Sequence, residues 1–140
     1  MMALRDEGLI GAIGLSNVTL EQYRSARQVT AIACVQNGYN LADRSDQRLF
    51  DSCAADGVPY VPFFPLGSAF GIENAVLTAP AVMNSATRLG ITPAQVALAW
   101  LLQRSPNVLL IPGTSSLTHA RENLAAAGVE LDGQALADIG

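Results

Sequence analysis

The sequence contains no lysine, and all eight of its basic residues are arginine. Among its 140 residues there are one histidine, two cysteines and one tryptophan, and aromatic residues make up only 6%. The missing amine excludes Schiff-base chemistry and a P-loop lysine. Cys34 and Cys53 make no disulfide framework, and no CxxC spacing exists for metal or redox work. Buried thiols in a reducing compartment are the simplest reading of the pair. Eight basic residues stand against twelve acidic ones, a net charge of -4, and no basic run occurs, so a nucleic-acid surface is not expected. The longest apolar runs, 94–102 and 108–112, are too short or too interrupted to span a bilayer. Arg5, Asp6 and Glu7 stand where a secretory signal would place a basic start and an apolar stretch, so a cytoplasmic location is expected.

What is present is a core-forming chain, 50% apolar and 14% charged, and a single domain over 1–140 is the expectation. Short β-rich runs alternate with helical segments. Residues 10–16 (IGAIGLS) read as a buried strand, followed by a helix over 19–28 with Thr19 as N-cap and Gln22 completing a capping box. Residues 31–36 (AIACVQ) form a second strand, and a helix starting at 45 or 46 ends at Gly57. A third strand covers 58–63 despite its prolines. After a loop with Gly67 and Gly71 come helices over 79–89 and 92–104, the second opened by Thr92 and Pro93. A fourth strand over 108–111, a helix over 116–127 and a short helix from 132 complete the pattern. Four strand–helix units with doubly apolar strands predict an α/β fold with a parallel sheet covered by helices. A barrel and a doubly wound sheet both satisfy that pattern.

Five segments, in order along the chain, resemble the aldo-keto reductase superfamily. Residues 5–17 (RDEGLIGAIGLSN) resemble a helix end and the fifth barrel strand with its Ser-Asn pair. VQNGYN at 35–40 is similar to the sixth strand, and VPFFPLG at 61–67 to the seventh. TPAQVALAWLLQ at 92–103 resembles the helix before strand eight, and IPGTSS at 111–116 followed by Arg121, Glu122 and Asn123 resembles the phosphate segment. The resemblance implies half of a (β/α)8 TIM barrel, strands five to eight, of a fold that typically needs about 250 residues. It also implies the C-terminal half of an NAD(P)H-dependent oxidoreductase that reduces aldehydes and ketones. The family's catalytic Asp, Tyr, Lys and His fall on no position of this chain. His119 lies in the phosphate-helix region, and Tyr23, Tyr39 and Tyr60 do not match the family's acid. The implied reading is a truncated reductase without catalytic residues, inactive alone.

The same resemblance implies which residues would hold NADP or NAD. Ser16, Asn17 and Gln36 would grip the nicotinamide carboxamide; alternatively, Ser16 and Asn17 cap the following helix. Phe63 would stack on the nicotinamide, with Phe64 in place of the family's Ser; alternatively Phe63 is a core residue. Leu66, Gly67 and Ser68 would run along the pyrophosphate. Gly113, Thr114 and Ser115 would place backbone amides and a helix N-terminus at a phosphate, or serve as an ordinary cap. Glu122 and Asn123 match adenine-side positions. His119 and Gly113 stand where many members carry Arg and Lys, so the choice between NADP and NAD is open.

An open half-barrel exposes two sheet edges and an apolar inward face, expected to include Ile32, Cys34 and Val61. Burial of each such side chain is worth roughly 1.5–3 kcal/mol, so a covering partner is expected, either a second copy in a dimer or a separate N-terminal half-barrel. Two further readings stand beside the truncated reductase: a non-enzymatic nucleotide-binding or structural module, and a gene fragment without function.

Overall fold

The computed structural model describes residues 1–67 and 74–140. After a short helix α1 (Met2–Asp6) the chain alternates β1 (Leu15–Ser16), α2 (Leu20–Val29), β2 (Val35–Gly38), α3 (Gln47–Ala55) and β3 (Tyr60–Phe63). Helices α4 (Pro80–Leu89), α5 (Pro93–Arg104), α6 (Leu117–Ala125) and α7 (Gly133–Ile139) follow, with a single 3₁₀ turn (Ala126–Gly128) after α6. The strands form one parallel sheet in the order β1-β2-β3, and a fourth segment joins β3 through a bridge between Tyr60 and Val108. The sheet is open, as half of a barrel should be.

Local chemistry explains the helix boundaries. Thr19 with Gln22, and Thr92 with Gln95, form reciprocal capping boxes at α2 and α5. Prolines open α4 and α5, and Gly90 ends α4 in a left-handed conformation that its missing Cβ makes inexpensive.

The strands are shorter than the sequence predicts. The expected strand over 10–16 pairs only at Leu15 and Ser16, extended by one bond from the Ala33 amide to the Ile13 carbonyl. The fourth strand shrinks to its bridge, held by Tyr60 N to Asn107 O and Leu109 N to Tyr60 O, both 3.0 Å. The cause lies in the neighbour. Alternation along β3 turns residues 60 and 62 toward the fourth segment, and Pro62 has no N–H to continue the ladder.

Burial alternates along the strands. Val35, Asn37, Tyr60 and Pro62 are buried on the helix side, while Gln36, Gly38, Val61 and Phe63 line the half-exposed open face. The helix side holds an aromatic stack in which Tyr39 lies 4.9 Å from Phe50 and 6.1 Å from Trp100 between ring centroids. Helix α5 buries 96–101 without a break, as a helix at the centre of a core does. One expectation is corrected here: Ile32 is not on the open face but 8% exposed within the helix-side core. Regular pairing begins only at Val35, so the two-residue alternation does not extend back to it. Cys34 and Val61 are half-buried, and Leu109 and Ile111 of the fourth segment are left open at 55% and 42%.

Candidate functional site

The C-terminal ends of the strands bring the expected site residues to one side of the sheet. Ser16 ends β1, Gln36 lies in β2, Phe63 ends β3, and Gly113 follows the bridged fourth segment. Between β1 and α2 the chain turns sharply at Asn17, whose φ of 58° is left-handed, a conformation Asn tolerates better than most residues. The Asn17 amide donates to the Gln36 carbonyl at 3.1 Å. Helix α2 is capped by Thr19, so Ser16 and Asn17 are not its caps. Among the described residues, the side chains of Ser16, Asn17 and Gln36 make no hydrogen bond.

Two adjoining cavities form a groove from β3 to α6. One, of about 440 Å³, includes Phe63, Phe64, Leu66, Gly67 and Gly113 in its lining. The other, of about 460 Å³, includes Leu66, Gly113, Thr114, His119, Glu122 and Asn123. Leu66, Leu77 and Gly113 belong to both, which makes the groove continuous. Eight of the thirteen expected residues therefore share it. Ser68 lies outside the described residues, and Ser115 lines neither cavity. Ser16, Asn17 and Gln36 lie beyond the groove's lining, at the ends of the neighbouring strands.

After β3, the described residues 64–67 and 74–77 are held by specific hydrogen bonds. Phe64 adopts a φ of 54°, and its carbonyl accepts from the Asn40 side chain at 3.1 Å and from the Gly67 amide at 2.9 Å. Asn74 donates to the Leu66 carbonyl at 2.8 Å and accepts from the amides of Val76 and Leu77. At the far end, Thr114 Oγ1 accepts from Ser116 N and Ser116 Oγ accepts from His119 N. The cap of α6 is therefore Ser116, with Thr114 closing the turn just before it, while Gly113 and Thr114 line the groove. His119 and Glu122 are the titratable side chains lining it among the described residues, and no arginine does.

Behind the site is a polar cluster that sequence reasoning missed. Asn37 accepts from Val18 N at 3.1 Å, and it donates to Val18 O at 2.8 Å and to Asp46 at 2.9 Å. The same Asp46 oxygen accepts from the Tyr60 hydroxyl at 2.7 Å, so its carboxylate does not cap α3. Burial, then the Asp46 bond, raise the Tyr60 phenol well above its ordinary value. Burial is also the leading cause that raises Tyr23 and Tyr39. A polar residue beside Gln36 in an otherwise apolar run was the one signal in the sequence for Asn37. Among the described residues no group of three His, Cys, Asp or Glu could hold a metal ion, and no helix is long and apolar enough to cross a membrane.

Comparison with known proteins explains this arrangement. The model of the aldo/keto reductase family matches residues 1–140. The chain belongs to that family. It is 51% identical over 136 residues to pyridoxine 4-dehydrogenase of Escherichia coli, covering 97% of this chain and 46% of that protein. An uncharacterized oxidoreductase of Schizosaccharomyces pombe is 36% identical over 138 residues, covering 98% of this chain and 44% of the relative. Among solved structures, an aldo-keto reductase from Klebsiella pneumoniae in complex with NADPH superposes with a TM-score of 0.87 at 33% identity, covering 99% of this chain and 50% of the other. A thermostable aldo-keto reductase bound to the inhibitor epalrestat gives 0.87 at 31% identity, covering 99% and 51%. The chain thus spans about half the length of the relatives it matches, and its fold is the matching half of the family's barrel.

Proposed function

We propose that the chain is a single half-barrel domain over 1–140 that holds the nicotinamide dinucleotide of an aldo/keto reductase and does not reduce carbonyls alone. The observation that carries the reading is the continuous groove from Phe63 to Asn123 along the strand ends. The donor set fits such a ligand. Ser16, Asn17 and Gln36 offer unused donors and acceptors suited to a carboxamide, and Phe63 offers a flat apolar face. Leu66, Gly67 and Ser68 would follow the pyrophosphate, with Gly113, Thr114 and Ser115 at the start of α6. His119, Glu122 and Asn123 would meet the adenosine end. NADPH bound to the Klebsiella relative supports a nicotinamide cofactor here, and with no fixed cation lining the groove among the described residues NAD is equally acceptable.

When bound, the cofactor supplies hydride to a carbonyl carbon. The residues above would bind and orient it, and none is assigned a proton to deliver. Tyr23, Tyr39 and Tyr60 are buried on the helix side, away from the groove, with phenols held in the neutral form. Lysine is absent, and His119 stands at the adenosine end. A cytoplasmic location suits the two free thiols, Cys34 and Cys53.

Fluorescence titration with NADH and NADPH tests the reading. Saturable binding is expected, and no response up to millimolar cofactor removes it. Oxidation of NADPH with an aldehyde panel by this chain alone would overturn the inactive assignment. A second reading rests on the open β1 edge and the exposed Leu109 and Ile111: a non-enzymatic module that completes a barrel with a second copy or a separate N-terminal half. Activity that appears only on mixing the two halves would favour it.

A further inference from the structure

We infer that Asn37 is a positioning residue that sets the carboxamide grip by clamping the turn at Asn17; this rests on the cofactor reading above. Asn37 is only 7% exposed and points to the helix side of β2, so it touches no ligand in the groove. Its amide holds the Val18 peptide on both sides, accepting from the N–H and donating to the C=O. One residue earlier, Asn17 donates its own N–H to Gln36. The left-handed turn that aims Ser16 and Asn17 is therefore fixed by two consecutive residues of β2.

The clamp is itself anchored. Asn37 donates its second proton to Asp46, whose same oxygen receives the Tyr60 hydroxyl. This ties the exit of β1 to β2, β3 and the start of α3. Asn adopts a left-handed φ such as the 58° of Asn17 readily, but a one-residue turn keeps its direction against the sheet only where its surroundings hold it. Here the surroundings are the Asn37 amide and the Gln36 carbonyl. Loosening the clamp should cost nicotinamide affinity without touching the adenosine end, which lies across the groove on α6.

The test is a pair of titrations on the full chain, with NADH and with ADP-ribose, which lacks the nicotinamide. Wild type should bind both. Asn37→Ser should lose about tenfold for NADH, the equivalent of ~1.4 kcal/mol, and stay within about twofold for ADP-ribose. Equal affinities for NADH, or an equal loss of both ligands, overturns the inference while leaving the cofactor reading intact. Wild type that binds neither ligand sinks both. If N37S fails to fold, the exchange Asn37→Asp with Asp46→Asn, which retains one amide and one carboxylate, must give the same split, and its absence overturns the inference.

Discussion

Gly38 lies so close to Phe63 that a Cβ added to the glycine would stand 3.1 Å from Phe63 Cε2. Both residues belong to the open face, and the ring covers the glycine. Gly38→Ala should therefore push the Phe63 ring into the groove. Because the ring is half-buried and has room there, unfolding free energy should change by less than about 1 kcal/mol. Nicotinamide cofactor affinity should fall several-fold, and ADP-ribose affinity should not. Urea unfolding and the same two titrations check both parts; an unchanged NADH affinity would show that Phe63 does not carry the nicotinamide.

Phe64 makes a second testable point. Its left-handed backbone is unusual for an aromatic residue, and such strain costs of order 1–3 kcal/mol. Asn adopts this conformation readily, whereas a β-branched residue does not. Phe64→Asn should thus be more stable than Phe64→Val by about 1 kcal/mol or more, measured by urea unfolding. Equal stabilities would mean that the loop relaxes out of the left-handed turn.

Alkaline pH should unfold the chain through its buried neutral groups. Burial and the Asp46 bond raise the Tyr60 phenol, burial and the Asp56 bond raise the Tyr23 phenol, and burial pushes the Cys53 thiol up to about 11. A group whose value is raised in the folded state stabilises fully below its unfolded value, and that stability is lost as pH rises toward the folded value. The unfolded values are 9.0 for the thiol and 10.0 for the phenols, so stability should decline from about pH 9 upward. Circular dichroism across pH 7–12 should show the decline, with a shallower slope above pH 10 in Tyr60→Phe. A flat profile to pH 12 contradicts the assignment.

The open face gives a fourth expectation. If a second copy covers it, the wild-type chain sediments as a dimer at micromolar concentration. Leu109→Gln with Ile111→Gln should then sediment as a monomer, because each removes an apolar contact worth roughly 1.5–3 kcal/mol on burial. A monodisperse wild-type monomer counts against self-association and leaves a separate N-terminal half as the covering partner.

Much of this architecture was legible in the sequence, for local reasons. Thr19 with Gln22 and Thr92 with Pro93 announce two helices because capping chemistry acts within a single turn. Polar residues at strand ends, such as Ser16 and Gln36, single out the candidate site because a core strand has no use for them. Strand lengths were not legible, since they depend on neighbours: Pro62 interrupts pairing with a segment more than forty residues away. The tie of Asn37 and Tyr60 to Asp46 was equally hidden. Those partners are 9 and 14 residues apart in the chain, and only the folded sheet makes them adjacent. Ile32 was misplaced because period-two alternation was carried into residues that precede the regular strand.

The brevity of β1 has a consequence for how the chain behaves among other proteins. A two-residue ladder offers an intruding strand scarcely any main-chain partners, so edge-to-edge growth into fibrils gains little there. Stickiness is instead a matter of side-chain shape at the opposite edge of the sheet, where Leu109 and Ile111 of the fourth segment would select a surface contoured to receive them.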